Sequence, residues 1–235
     1  MISLIILNWK RSNNIKNKIL PYIENNKLID EIIISHGRED TFFEYSSKNK
    51  NVIHRQDFIL NSTFGLSLRF LSALTSKNKI IMFLDDDEII NNEEIEKCYQ
   101  LLINNKNIGI IGKYGRKLSK KNNEYLYNFH NNNGYSDIIL TKFMLLRKIL
   151  IYDFFKSCLL VEHLQQKAKP LWNGEDIFIS LLSQKRYGNK SLYSLRDIKG
   201  EKLEEGRESV SLWGGHKNFR QFFYNNCLDI LQLKK

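Results

Sequence analysis

The chain alternates short apolar runs with stretches whose apolar residues recur every three or four positions. Ile2 to Leu7 is a β-branched run bounded by polar residues, Asp30 to Ser35 is a second, and Ile15 to Ile23 between them has helical spacing. This order predicts one βαβ unit. A short strand follows near Val52-Ile53, then a helix-like segment from Thr63 to Leu74. Next comes Ile80-Ile81-Met82-Phe83-Leu84, apolar at every position, the pattern of a central strand buried on both faces. It runs straight into Asp85-Asp86-Asp87. A helix over Glu93 to Ile103 and a strand over Ile108 to Gly112 complete the first half. Strands that alternate with helices predict an α/β fold with a mostly parallel sheet, and such sheets bind ligands beyond the carboxyl ends of their strands. The acidic triplet lies at such an end.

The second half is less regular. An Asn-rich stretch from Lys120 to Gly134 precedes an apolar, strand-like segment from Ile138 to Leu146, and a helix begins near Gly174-Glu175-Asp176. Asp197 to Ser211 is charged and carries Gly200 and Gly206, which predicts a long, flexible loop. With two prolines, no Pro-rich linker and no internal repeat, the sequence predicts one domain over residues 1–235.

Composition narrows the classes. At 42% hydrophobic, 235 residues can bury a large core. The net charge of +10 attracts anions, which include nucleic acid, a membrane face and the phosphates of a small substrate. Against nucleic acid, the basic residues are dispersed and no RNP-like, zinc-finger or helix-turn-helix pattern is present. Cys98, Cys158 and Cys227 lack CxxC spacing, so neither a zinc site nor a disulfide framework is expected, and a reducing compartment fits best. Ile2 to Leu7 is too short for a signal-peptide core or a membrane span, and Ile138 to Phe155 is interrupted by Lys142, Arg147 and Lys148. The expectation is a cytoplasmic protein with no transmembrane segment.

Asp85-Asp86-Asp87 carries the strongest chemical signal. Carboxylates alternating at the end of a strand converge on one hard divalent cation and bridge it to phosphate oxygens; the alternative is a solvated acidic turn that opens the helix after Asn91. Glu175-Asp176 is a second pair, either favourable charge at a helix N-terminus or a carboxylate facing a reacting group. Trp213-Gly214-Gly215-His216-Lys217 offers an imidazole and a cation together, suited to a metal and a departing diphosphate, although a lone histidine is more often structural. Arg11, after the first strand, and Arg69, before the acidic strand, reach toward a diphosphate or base unless they are surface cations. His36, His54, His130 and His163 show no metal-ligand spacing and receive no role.

These pieces together resemble the GT-A glycosyltransferases, most closely the exostosin-like family, glycosyltransferase family 64. The resemblance rests on the opening strand with Asn8-Trp9-Lys10-Arg11, on Ile80 to Asp87, on Gly174-Glu175-Asp176-Ile177 with the later turn Tyr187-Gly188-Asn189-Lys190, and on Trp213 to Lys217 followed by Cys227-Leu228. It implies a Rossmann-like domain with a nucleotide-binding half over 1–112 and an acceptor-side half over 113–235. It further implies transfer of a hexosyl or N-acetylhexosaminyl group from a nucleotide-diphosphate donor, UDP-linked, to a hydroxyl of a glycan or other acceptor, with the outcome leaning toward retention. Asp85 and Asp86 would contact the ribose side of the donor. Asp87 would bind Mn2+ or Mg2+, with Asp85 and His216 as further metal ligands. Asp176, with Glu175, would face the anomeric carbon, and Arg11, Arg69 and Lys217 would contact the nucleotide sugar. The chain departs from the family at Lys217, where the family has Arg, and at Glu175, where it has Asp. Two residues also separate Trp213 from His216, and Leu140 to Lys148 lacks the family's small residues. A sugar nucleotidyltransferase would share the core and the metal but should carry a Gly-rich loop after the first strand, and Asn8 to Ile15 contains no glycine.

Overall fold

The computed structural model describes residues 1–118, 128–129, 132–158, 173–203 and 215–233. Its centre is β1 (Ile2–Asn8), buried at every position, with β2 (Ile29–His36) parallel on one side and β4 (Ile80–Leu84) parallel on the other. β3 (Asn51–Gln56) is parallel to β2 and closes that edge. The eight-stranded sheet continues past β4 through β11 (Phe143–Arg147), β6 (Ile110–Gly112), β12 (Leu192–Ser194) and β9 (Gly134–Tyr135), in the order β3-β2-β1-β4-β11-β6-β12-β9. It is mostly parallel, as the strand–helix alternation predicts, with β11 inserted antiparallel to both β4 and β6.

Two apolar layers cover the sheet, and β4 shows how one strand serves both. Ile81 and Phe83 join the layer containing Phe70, Phe154 and Phe178, while Ile80, Met82 and Leu84 join the layer containing Ile15, Ile19 and Ile95. Side chains alternate across a strand, so a strand covered on both faces must be apolar throughout.

The helices follow the predicted order with instructive differences. Residues 12–23 are helical in three consecutive pieces, Ser12–Asn14, Ile15–Ile19 with π-type bonding, and Leu20–Ile23, and together form α1. Where one helical segment over Thr63 to Leu74 is expected, two helices form, α2 (Phe58–Phe64) and α3 (Leu68–Leu74). The break falls at Gly65, whose φ of +49° and ψ of −128° suit glycine alone. α4 (Asn92–Asn104), α5 (Ile149–Cys158), α6 (Glu175–Tyr187) and α7 (His216–Ile230) follow among the described residues.

The segment Ile138 to Leu146 is not one strand. β10 (Ile138–Ile139) joins a small sheet with β7 (Gly115–Lys117) and β8 (Asn128–Phe129), whereas β11 enters the main sheet. The turn between them, Leu140 to Lys142, contains no glycine or proline to announce it. A second departure concerns the charged segment from Asp197. Its residues Gly200–Lys202 form β13, which pairs antiparallel with β5 (Glu88–Ile90) immediately after the acidic triplet. Gly200 permits this approach, because a Cβ there would lie 2.1 Å from the Ile89 carbonyl oxygen. The first part of that segment is therefore ordered structure, and residues 204–211 lie outside the described ones.

Candidate active site

Beyond the carboxyl ends of β1 and β4 the three aspartates diverge, and each meets its own cation. Asp85 accepts from Arg69 Nη1 at 2.9 Å, Asp86 from Arg11 Nη1 at 2.8 Å, and Asp87 from Lys142 Nζ at 2.8 Å. Arg11 and Arg69, the cations expected at a donor phosphate or base, pair with Asp86 and Asp85 here. Asp86 is buried, and burial together with its neighbour Asp85 raises its pKa despite Arg11. Asn14 Nδ2 donates to the Asp86 carbonyl at 3.1 Å, the Asp85 amide donates to the Lys142 carbonyl at 2.9 Å, and the Leu203 amide donates to the Asp87 carbonyl at 2.8 Å. The triplet's main chain is thus fixed from α1, from the turn before β11 and from the end of β13.

The second carboxylate pair lies at the first turn of α6 and is connected to the triplet. Arg69, 5% exposed, also donates to the Thr141 carbonyl at 3.3 Å, and Thr141 Oγ1 donates to Glu175 Oε1 at 2.8 Å. Burial raises the pKa of Glu175, and the adjacent Asp176 charge adds to this. Asp176 has a different environment: Arg220 Nη2 donates to both of its oxygens, at 2.9 and 2.8 Å, and Arg220 Nη1 donates to Asn173 at 3.0 Å. His216, one turn before Arg220 on α7, is 8% exposed and feels both Arg220 and Asp176. Burial, then Arg220, lowers its pKa, which leaves a neutral imidazole at pH 7.

Sequence reasoning missed Lys142, Thr141 and Arg220. Arg220 carries one legible signal, its i+4 spacing from His216, which places both on one helix face. Lys217 belongs to the same helix, but its side chain is outside the described residues, as is Trp213. Asp85, Asp87 and His216, expected to share a metal, do not form a ready cage; among the described residues no three His, Cys, Asp or Glu side chains do. The donor set at Asp87 nevertheless fits a hard divalent cation. Its Oδ1 is buried with no hydrogen-bond partner among the described residues, and Mg2+-like ions are commonly held by one or two carboxylates plus substrate phosphates.

Gly174 sets the approach to α6. Its φ is +108°, and a Cβ there would lie 2.7 Å from Phe223 Cδ1. Gly174→Ala should cost about 2 kcal/mol from backbone strain and overpacking, a fall in Tm of roughly 4–8 °C by thermal unfolding; an unchanged Tm would show that the turn relaxes freely.

Histidines without an assigned role form a relay beside this site. Asn8 Nδ2 donates to the Thr41 carbonyl at 2.8 Å and to His36 Nδ1 at 2.9 Å, so His36 Nε2 carries the hydrogen that reaches His54 Nδ1 at 2.9 Å. His36 is fully buried, and burial, helped by His54, lowers its pKa to about 4. Its unfolded pKa is higher, so stability should fall as pH drops from about 6.5 toward 4, by up to about 3 kcal/mol, and be unaffected above that window. Urea midpoints measured across this range should decline in the wild type and flatten in His36→Gln; equal slopes would exclude His36 as the source.

A profile of the family described as the glycosyl transferase family 64 domain matches residues 2–232. The chain belongs to glycosyl transferase family 64. Solved structures agree on the fold. TarS residues 1–349 of S. aureus, in complex with UDP-GlcNAc, superposes with a TM-score of 0.57 at 10% identity, covering 99% of this chain and 65% of that one. The present chain thus spans just under two-thirds of that TarS structure. Glucosyl-3-phosphoglycerate synthase from Mycobacterium tuberculosis, in complex with Mn2+, UDP-glucose and phosphoglyceric acid, gives a TM-score of 0.57 at 11% identity, covering 100% of this chain and 81% of that one. No curated protein matches in sequence. Like these structures, the family 64 chain has the GT-A fold, and no helix among its described residues is long and apolar enough to cross a membrane.

Proposed function

We propose that this family 64 chain transfers a hexosyl or N-acetylhexosaminyl group from a UDP-sugar to a hydroxyl of a glycan or related acceptor, with a divalent cation and with retention at the anomeric carbon. The observation that carries this reading is the continuous path from Asp85 through Arg69 and Thr141 to Glu175 and Asp176. It joins an acidic strand end, suited to a nucleotide and cation, to a buried carboxylate pair, suited to a developing positive charge on a sugar. The UDP-sugars bound by the two similar structures support the choice of donor.

When bound, Mn2+ or Mg2+ supplies positive charge to the leaving diphosphate. Asp87 would hold it, with Asp85 and His216 as further candidate ligands. Asp86, fixed by Arg11, would face the ribose. Lys217, at the start of α7, would add charge at the diphosphate. Asp176 would face the anomeric carbon, with Arg220 supplying its countercharge and fixing both oxygens, while Glu175 positions the Thr141 turn. Two adjacent carboxylates with such different surroundings are suited to different roles. The same residues would serve 1–235 as one domain, with the nucleotide in the half over 1–112.

Differential scanning fluorimetry with UDP, GDP and a DNA oligomer, each with and without Mn2+, tests this reading. Stabilisation by UDP that requires Mn2+ is the expected result. Stabilisation by the oligomer alone would favour the basic nucleic-acid-binding reading instead.

A further inference from the structure

Lys142 has a position that the proposed chemistry does not by itself explain. It precedes β11, and its carbonyl accepts from the Asp85 amide at 2.9 Å, which fixes it opposite the triplet. Its ammonium lies 2.8 Å from Asp87 Oδ2 and 5.6 Å from the centre of the Tyr114 ring. That ring is itself fixed, because the Tyr114 hydroxyl donates to Glu88 at 2.7 and 2.8 Å, and Glu88 is fully buried. The result is a cation held on one oxygen of Asp87 while the other, Oδ1, has no hydrogen-bond partner among the described residues.

We infer that Lys142 competes with the divalent cation for Asp87 and thereby makes metal binding depend on the donor's diphosphate. The inference rests on the metal reading proposed above. Two cations cannot share one carboxylate without mutual repulsion, so an ion arriving at Asp87 must displace or oppose the ammonium. The Lys142–Asp87 pair is partly exposed, with side chains 21% and 27% accessible, which makes it weak enough to yield. Alone, the metal has nothing to offer the displaced lysine. With a nucleotide diphosphate present, the ammonium gains an anionic partner on a flexible stem. Metal and nucleotide would then bind cooperatively, and the same coupling factor would appear in both affinities.

Mn2+ titrations followed by electron paramagnetic resonance of the free ion, each with and without UDP, test this on the full chain. The proteins are the wild type, Lys142→Met, Lys142→Gln and Lys142→Arg, each first shown to be folded by thermal unfolding. Without UDP, Lys142→Met and Lys142→Gln should bind Mn2+ about tenfold more tightly than the wild type, and Lys142→Arg should resemble it. The factor by which UDP tightens Mn2+ binding should shrink in the Met and Gln variants, since the free protein has gained affinity and the complex has lost a phosphate contact. Wild-type Mn2+ affinity in either variant without UDP would overturn the inference. A separate outcome addresses the reading beneath it. If the wild type binds no Mn2+ even with UDP, or if Asp87→Ala binds it undiminished, the metal assignment itself is wrong.

Discussion

Asp176→Asn is expected to lower kcat by at least about a hundredfold while leaving UDP affinity nearly unchanged, because its carboxylate would act on the sugar and not on the nucleotide. The substitution also removes the countercharge of Arg220, which is 3% exposed and bonded to both Asp176 oxygens. Breaking a buried pair by removing one partner costs about 3–5 kcal/mol, so Tm should fall as well. Kinetics must therefore be measured well below the variant's unfolding temperature. Calorimetry for UDP and steady-state kinetics for transfer separate the two effects. Equal losses in nucleotide affinity and turnover would reduce Asp176 to a structural role.

Asp87→Ala should behave in the opposite way. Its partner Lys142 is partly exposed, so the lost ion pair is worth about 1 kcal/mol or less and the fold should persist. Transfer should be abolished, and the increment in UDP affinity that Mn2+ provides should vanish, leaving the metal-independent part intact. Calorimetric UDP titrations with Mn2+ and with EDTA read this directly. A variant that keeps near wild-type turnover would sink the assignment of Asp87 to the cation.

What could be seen in the sequence depended on how local the cause was. Ile80 to Leu84 announces a doubly covered strand because both faces of that strand must be apolar, and the triplet after it is visible for the same reason. β5 was not visible: three residues, Glu88-Ile89-Ile90, have too little pattern and read as the approach to α4. The turn at Leu140 to Lys142 carries no punctuating residue, so its two flanking strands read as one. The partners of the acidic triplet were half visible. Arg11 and Arg69 could be named as cations near the sheet's end, but that they pair with Asp86 and Asp85 depends on side-chain packing. Lys142 is 55 residues from Asp87 and becomes its neighbour only through an antiparallel insertion that no periodicity encodes. Arg220 is 44 residues from Asp176 and meets it only because α7 packs against the start of α6.

The antiparallel strand at the middle of the sheet also bears on how the chain reaches this structure. β4 finds its second neighbour only when residues 143–147 arrive, and the partners of β6 among the described residues, β11 and β12, both come still later in the chain. A ribosome-bound chain of the first 112 residues would therefore carry an apolar strand, Ile80–Leu84, with one edge unpaired. Such an edge is a template for pairing with another chain, and it must wait for roughly 30 further residues, several seconds at ordinary elongation rates. Closing the long loop between β4 and β11 is a non-local step of the kind that slows folding. Severing the chain near residue 112 would be expected to give aggregation in place of an independent nucleotide-binding half.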